Sequence, residues 1–159
     1  MNELSVVGVR VELPTNQPIV LLKEVEGERY LPIWIGAVEA TAIAFAQQGV
    51  VTERPMTHDL MRDLLTELDV AVERIVITEL REGTFYAEIQ LARDGSRYAV
   101  SSRPSDAVAL AARLGTPIFA DEGVLDEAAI VVSEEEEEEE EVERFRQFLQ
   151  EVNPEDFAS

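Results

Sequence analysis

The chain has 159 residues, of which 46% are hydrophobic, and its formal net charge at pH 7 is −20. A chain of this length and composition is expected to form one globular domain with a substantial core. Because it contains no cysteine, disulfide bonds, thiolate metal sites and thiol catalysis are excluded.

The apolar segments of the sequence indicate neither export nor membrane insertion. The apolar start at Val6 is soon interrupted by Arg10 and Glu12, unlike the apolar stretch of a signal peptide. No apolar run approaches the length of a membrane span. We therefore expect a cytoplasmic protein with no membrane partner.

The N-terminal part of the chain predicts three strands. From residue 7 to residue 13 apolar side chains alternate with polar or small ones, which is typical of a half-buried strand. Residues 19–25 and 30–35 predict the second and third strands. Pro32 cannot donate a ladder hydrogen bond, so the third strand is expected to lie at a sheet edge or to contain a bulge.

An apolar helix is predicted over Ala37–Gln48, ended by Gly49. It is apolar nearly all round, so we expect it to be buried within the domain or within an oligomer. Glu39 is its only charged residue. This carboxylate either stabilises the positive end of the helix dipole or acts as an active-site acid.

A second helix is predicted to begin after Pro55. Thr57 fits the N-cap and Asp59 the second helical position. Leucine and methionine residues at positions 60, 61, 64, 65 and 68 share one face, which we expect to face the core. His58, the only histidine, is either a capping or packing residue or a general acid–base group.

Residues 70–101 predict three further strands, at 70–80, 84–92 and 97–101. The last two are joined by Asp94-Gly95, which is typical of a hairpin turn. A short terminal strand is predicted at 118–120, and a loop with about one helical turn follows it.

The third helix carries signals at both of its ends. Pro104 suits the first turn, and Gly115 ends the helix. Ser105 and Asp106 can accept hydrogen bonds from the N–H groups of the first turn. The helix body is apolar, and its polar residues are concentrated at the entry beside Arg103. A buried helix with a polar N-terminus is suited to bind an anion or to carry carboxylate chemistry.

Together these elements predict an α+β domain over residues 1–132, with three main helices packed on a mixed, mostly antiparallel sheet. Residues 133–159 are predicted to form a glutamate-rich linker and an amphipathic, acidic C-terminal helix. This tail holds 12 of the 33 acidic and 2 of the 13 basic residues, so the tail and the domain each carry a formal charge of −10. That charge disfavours a broad nucleic-acid surface.

Two apolar surfaces predict a homo-oligomer, most simply a dimer. One is the helix Ala37–Gln48, and the other is the tail face that contains Phe145 and Phe148. The acidic tail is in addition a candidate ligand for a basic protein partner.

Three motifs resemble the bifunctional nuclease domain family, which was long described as a domain of unknown function. They are Leu31-Pro32-Ile33-Trp34-Ile35-Gly36 with Glu39-Ala40, Arg54-Pro55-x-Thr57-His58-Asp59-Leu60, and Arg103-Pro104-Ser105-Asp106-Ala107. The resemblance covers roughly residues 2–132. It implies a compact α+β domain that associates with a copy of itself, and a DNase and RNase activity like that attributed to plant members.

The resemblance also implies a set of site residues by matched position. Catalytic roles are assigned to His58, Asp59, Asp106 and Glu39, and substrate-binding roles to Arg54, Arg103, Thr57 and Ser105. The histidine can move a proton, and the two arginines can bind a phosphate. The three carboxylates can together hold Mg²⁺, whereas a single histidine disfavours zinc.

We expect four of these residues to form one polar cluster at the starts of two helices: His58, Asp59, Arg103 and Asp106.

Two functions are compatible with these residues. The first is a nuclease that hydrolyses phosphodiester bonds of DNA or RNA. The second is a non-catalytic, oligomeric interaction or regulatory domain in transcription or repair, in which ion pairs such as Arg103–Asp59 or Arg54–Asp106 join two helix starts. A third hypothesis is that the N-terminus of the helix beside Arg103 binds a small anion.

Overall fold

The computed structural model describes residues 1–132 and shows a mixed sheet with helices packed against it. The strands are β1 (Asn2–Glu12), β2 (Gln17–Glu24), β3 (Tyr30–Trp34), β4 (Ala71–Arg81), β5 (Thr84–Arg93), β6 (Ser96–Ser102) and β7 (Ile118–Ala120). The helices are α1 (Ala37–Gln48), α2 (Thr57–Glu67), α3 (Pro104–Leu114) and α4 (Glu122–Ala128). The C-terminal helix predicted from the sequence lies outside the described residues.

Across the described residues the strands follow the order β3-β2-β1-β7-β4-β5-β6. Neighbouring strands are antiparallel except β4 and β7, which pair in parallel. Short turns link β1, β2 and β3 on one side and β4, β5 and β6 on the other, as antiparallel neighbours allow. β7 lies between these two halves and joins them into one sheet. The predicted α+β fold with a mostly antiparallel sheet is confirmed.

The third strand lies at one edge of the sheet, as Pro32 predicted. Beyond β3, a single bridge connects Tyr30 to Ile130. The Tyr30 N–H donates to the Ile130 carbonyl at 2.7 Å, and the Ile130 N–H donates back at 2.8 Å. The described part of the chain therefore ends beside β3.

The helices α1 and α3 contact each other and cover the sheet, α1 on β1 and β2, and α3 on β4 and β5. Residues 40–45 of α1 and 107–111 of α3 are buried in this layer. Most of the apolar surface of α1 that predicted an oligomer is therefore covered within the domain, although Val38 is 61% exposed. Among residues 1–132, no helix combines the length and the apolar character that crossing a membrane requires.

The helix α2 lies outside this layer and packs on α3. Met61 and Leu65 contact the core, but Leu60, Leu64 and Leu68 are 51%, 55% and 52% exposed. The prediction that all five apolar positions face the core was wrong for these three. Because α2 contacts the domain on one side only, it can bury only part of so wide an apolar face.

The segment after β7 forms a short helix, α4, where the sequence predicted a loop with about one turn. Val124 and Leu125 place its apolar side in the core. On its polar side Arg29 contacts two carboxylates of the helix, those of Glu122 at 2.7 Å and Asp126 at 3.1 Å. These contacts fix α4 against the segment that leads into β3.

Candidate functional site

Three helix starts meet at one end of the helical layer. The first turn of α1 contributes Glu39, the first turn of α2 contributes His58, and α3 contributes its N-cap Arg103 and Asp106. We call these four residues the entry cluster. Charged and titratable groups from three helices converge in this cluster, which is typical of a functional site.

A continuous chain of hydrogen bonds joins the entry cluster. Arg103 Nη2 donates to Glu39 Oε1 at 2.7 Å, and Arg103 Nε donates to Asp106 Oδ2 at 2.9 Å. The other oxygen of Asp106, Oδ1, lies 2.9 Å from His58 Nε2. An ionised carboxylate only accepts hydrogen bonds, so His58 carries the proton on Nε2. Both oxygens of Asp106 are thus held in place.

Solvent access differs sharply along this chain. The side chain of Arg103 is 65% exposed, that of Asp106 is 27% exposed and that of Glu39 is 15% exposed. His58 is buried, with 4% exposed. A substrate arriving from solvent can therefore reach Arg103 and Asp106, whereas His58 acts on it only through Asp106.

The guanidinium of Arg103 remains a cation throughout the accessible pH range. Hydrogen bonds to Asp106 and then Glu39, together with the charges of both carboxylates, raise the pKa of Arg103 above its usual value. The site thus combines one permanent positive charge with two carboxylates.

The motif position Gly36 has a steric role in this site. A Cβ at Gly36 would lie 2.5 Å from Glu39 Oε2, so a side chain there would displace the carboxylate. Glu39 folds back over the first turn of α1, where the helix dipole favours a negative charge. Glycine three residues before Glu39 thus lets this carboxylate reach Arg103.

Asp59 makes its contacts away from the entry cluster, so the predicted four-residue cluster was wrong for this residue. Its Oδ1 accepts from Arg113 Nε at 2.6 Å, and its Oδ2 accepts from the Met56 N–H at 3.0 Å. The Arg113 side chain is 5% exposed. This pair joins the start of α2 to the last turn of α3.

The pKa of Asp59 reflects this environment. Burial acts to raise the pKa, but hydrogen bonds from Arg113 and the Met56 N–H, with the charges of Arg113 and Arg62, outweigh burial and lower the pKa below its ordinary value. Asp59 is therefore held as a paired carboxylate. The N-cap of α2 also differs from the prediction, because Met56 occupies it and Thr57 is the first helical residue.

The other predicted site residues lie around the entry cluster without joining its hydrogen-bond chain. Arg54 and Thr57 are exposed at the start of α2. Ser105 is buried in the first turn of α3. The predicted structural pairs do not form, since Asp106 binds His58 and Arg103 and Asp59 binds Arg113.

The three carboxylates predicted to hold Mg²⁺ are not brought together. Glu39 and Asp106 bind the same guanidinium, whereas Asp59 binds Arg113. Within residues 1–132, no group of three or more histidine, aspartate and glutamate side chains is arranged to hold a metal ion. As folded, this donor set does not fit a three-carboxylate magnesium site.

Two grooves flank the polar groups described above. One, of about 350 Å³, lies against Asp59 and Arg113, whose charges are already paired. The other, of about 340 Å³, lies beside Arg103 and is lined by the end of β3, the turn before β5 and the start of α3. Trp34 lines the second groove and is 54% exposed. The sequence analysis gave Trp34 no role, although a tryptophan at the end of an edge strand can indicate a binding surface.

Comparisons with known proteins agree with the motifs. The chain matches the family model described as the bifunctional nuclease domain over residues 20–133. An uncharacterised protein of Mycobacterium tuberculosis is 50% identical over 166 aligned residues, which cover 100% of this chain and 99% of that protein. Proteins named bifunctional nuclease 1, from Oryza sativa subsp. indica, and bifunctional nuclease, from Oryza minuta, are each 27% identical over 120 residues. These alignments cover 74% of this chain and 36% of each rice protein.

Proposed function

This chain belongs to the bifunctional nuclease domain family, and from that premise we propose that it hydrolyses phosphodiester bonds of DNA or RNA at the entry cluster. The observation that carries this proposal is the position of Arg103. Its side chain is 65% exposed while it is hydrogen-bonded to Asp106. A solvent-accessible cation beside a carboxylate supplies two groups that phosphodiester hydrolysis uses, one to bind the phosphate and one to accept the proton of the attacking water.

In the proposed reaction Arg103 binds the scissile phosphate. Within residues 1–132 its Nη1 has no hydrogen-bond partner, whereas Nε and Nη2 are bound to carboxylates. A phosphate oxygen can therefore accept from Nη1 without breaking the existing contacts. The fixed guanidinium stabilises the negative charge that grows on the phosphate in the transition state.

Asp106 acts as the general base in this proposal. Water attacks the phosphorus, its proton passes to Asp106, the bond from phosphorus to the leaving oxygen breaks, and that oxygen takes a proton from solvent. His58 is a positioning residue, because its buried ring reaches only Asp106. Glu39 is a second positioning residue, because its Oε1 accepts a hydrogen bond from Arg103 Nη2.

The test is a cleavage assay on single-stranded RNA and DNA, with and without Mg²⁺. We expect Asp106→Asn to lower the rate by about 10²- to 10⁴-fold. Asp94→Asn is the matched control, since Asp94 is an 89% exposed aspartate on the β5–β6 turn, and we expect it to cleave like the parent. A parent protein inactive on both substrates, or equal rates in the parent and a folded Asp106→Asn, would overturn the proposal.

A second candidate function, a non-catalytic oligomeric domain, is supported by α2. Leu60, Leu64 and Leu68 form an exposed apolar stripe at four-residue spacing. Two copies could cover such a stripe symmetrically. Light scattering at micromolar concentration tests this. A dimeric parent and a monomeric Leu64→Glu variant would support it, and a monomeric parent would contradict it.

A further inference from the structure

We propose that the groove beside Arg103 binds an unpaired nucleobase of a single-stranded nucleic acid, with the base stacked on Trp34 and its phosphate on Arg103. The inference rests on the proposed function, because it names the form of nucleic acid that the entry cluster would cleave. It goes further in assigning a binding residue, Trp34, that contributes nothing to the chemistry.

Trp34 is placed at the surface by the register of β3. It is the last residue of this edge strand and pairs with Ile19. Its neighbours Ile33 and Ile35 are 2% and 5% exposed, whereas Trp34 is 54% exposed. Because successive side chains of a strand point to opposite faces, the two isoleucines enter the core and the indole is left outside it. Among residues 1–132 the indole has no hydrogen bond or ring contact.

The groove has the size and lining of a site for one base. Its volume is about 340 Å³, at the small end of the range for ligand pockets. Trp34 and Phe85 supply aromatic surface, and Gln17 and Thr84 supply polar groups that can bond to a base edge. Arg103 lies in the same lining, so one nucleotide can contact the indole and the guanidinium together.

The charge and geometry favour a single strand over a duplex. A duplex keeps its bases stacked and paired, so one exposed indole cannot reach a base face without disrupting it. Stacking on an aromatic side chain is tolerant of sequence, because every base has a π-face. The domain carries a formal charge of −10, so we expect contact with about one phosphate. That predicts a slope of about −0.7 for the logarithm of the binding constant against the logarithm of salt concentration.

Trp34 is the only tryptophan in the chain, so its fluorescence reports this groove directly. We would titrate the parent, in EDTA, with a short oligodeoxythymidine and with an abasic strand of the same length. The expected result is quenching by the first and little quenching by the second. Equal quenching by both strands would overturn the stacking assignment, as would the absence of binding to either.

Substitutions test the same point without using the tryptophan signal. With a dye-labelled oligodeoxythymidine followed by anisotropy, we expect Trp34→Leu to weaken binding by about 5- to 100-fold and Trp34→Phe to stay within a few-fold. Tyr98→Leu is the matched control, because Tyr98 is equally exposed at 54% and lines a different groove on β6. An equal loss in Tyr98→Leu would overturn the proposal. So would a tryptophan emission that follows protein concentration rather than oligonucleotide, since a second copy would then cover Trp34.

Cleavage kinetics separate this inference from the proposed function. If the parent cleaves the oligonucleotide, we expect Trp34→Leu to raise KM more than it lowers kcat. An unchanged KM would reject the groove and leave the nuclease proposal standing. If the oligonucleotide quenches Trp34 but the parent cleaves nothing, the binding site is supported and the nuclease proposal fails.

Discussion

Arg103 and Arg113 stand at opposite ends of α3, and both donate from Nε to an aspartate in the first turn of a helix. The distances are similar, 2.9 Å for Arg103 to Asp106 and 2.6 Å for Arg113 to Asp59. Their environments are opposite, because the Arg103 side chain is 65% exposed and that of Arg113 is 5% exposed. A buried pair must keep its partner to remain stable, whereas an exposed cation can exchange contacts with a ligand. Exposure of the cation therefore distinguishes the candidate site from the structural pair.

The largest effect is expected when the buried arginine is replaced. Arg113→Met would remove the hydrogen-bonded cation of the partly buried Asp59 and leave it only Arg62, 3.8 Å away, and we expect the free energy of unfolding to fall by about 3 kcal/mol. Urea denaturation measures this loss of stability. Arg93→Met is the control, because Arg93 is an exposed arginine in a loose pair with Asp94. A loss below about 1 kcal/mol in Arg113→Met would show that the buried pair is not structural.

Replacing the exposed Arg103 should affect the cleavage rate much more than the free energy of unfolding. We expect Arg103→Gln to change the free energy of unfolding by less than about 1 kcal/mol, because the Arg103 side chain is 65% exposed and the dipoles of α1 and α3 still stabilise Glu39 and Asp106 in their first turns. Its cleavage rate should fall by about 10²-fold, the usual loss when a group that stabilises transition-state charge is deleted. Urea denaturation and a cleavage assay on the same preparation test both statements. An Arg103→Gln variant that is strongly destabilised but cleaves at the parent rate would show that Arg103 is structural and not part of the reactive site.

The paired carboxylate of Asp59 makes the stability of the fold depend on pH. The pKa of Asp59 is lowered in the folded state, so its contribution is fully present above the unfolded pKa of about 3.9. That contribution is lost as the pH falls through the lower, folded pKa. We expect the urea midpoint of the parent to fall in this acid range, and that of Asp59→Asn to fall less. Glu24 and Glu122, whose pKa values are lowered first by hydrogen bonds from Arg29, contribute to the fall that remains.

The smallest effect is expected from the acidic tail. Eight consecutive glutamates follow Ser133, and like charges on adjacent turns oppose helix formation at neutral pH. Deleting residues 133–159 should leave residues 1–132 folded, with a cooperative thermal transition followed by circular dichroism. Loss of that cooperativity would show that the tail belongs to the folded core.

Local patterns were sufficient to predict most of the elements. Alternation of apolar residues marked the long strands, and Pro104 and Gly115 marked the ends of α3, because these signals depend on neighbouring residues alone. The insertion of β7 between β1 and β4 was not predictable in this way, because it depends on pairing between distant segments. The exposed leucines of α2 escaped prediction for a related reason, since periodicity identifies an apolar face but not what covers it.

The sequence predicted which residues lie at the candidate site more accurately than it predicted which residues they contact. His58, Arg103 and Asp106 converge as expected, because Arg-Pro motifs place them at the starts of α2 and α3, which pack on each other. Asp59 was grouped with them by the same reasoning, but its partner Arg113 lies 54 residues away in the sequence. No local pattern distinguishes that pairing from a contact with Arg103, so only the fold could assign it.

The most direct test is single-turnover cleavage of single-stranded RNA or DNA by Arg103→Gln and by Arg113→Lys, each measured where circular dichroism shows it folded. Lysine retains the positive charge beside Asp59, so this variant alters the structural pair without removing its cation. We expect Arg103→Gln to cleave about 10²-fold more slowly than the parent and Arg113→Lys to cleave within a few-fold of it. A parent rate in Arg103→Gln, or an equal loss in a folded Arg113→Lys, would contradict the assignment of the entry cluster as the reactive site.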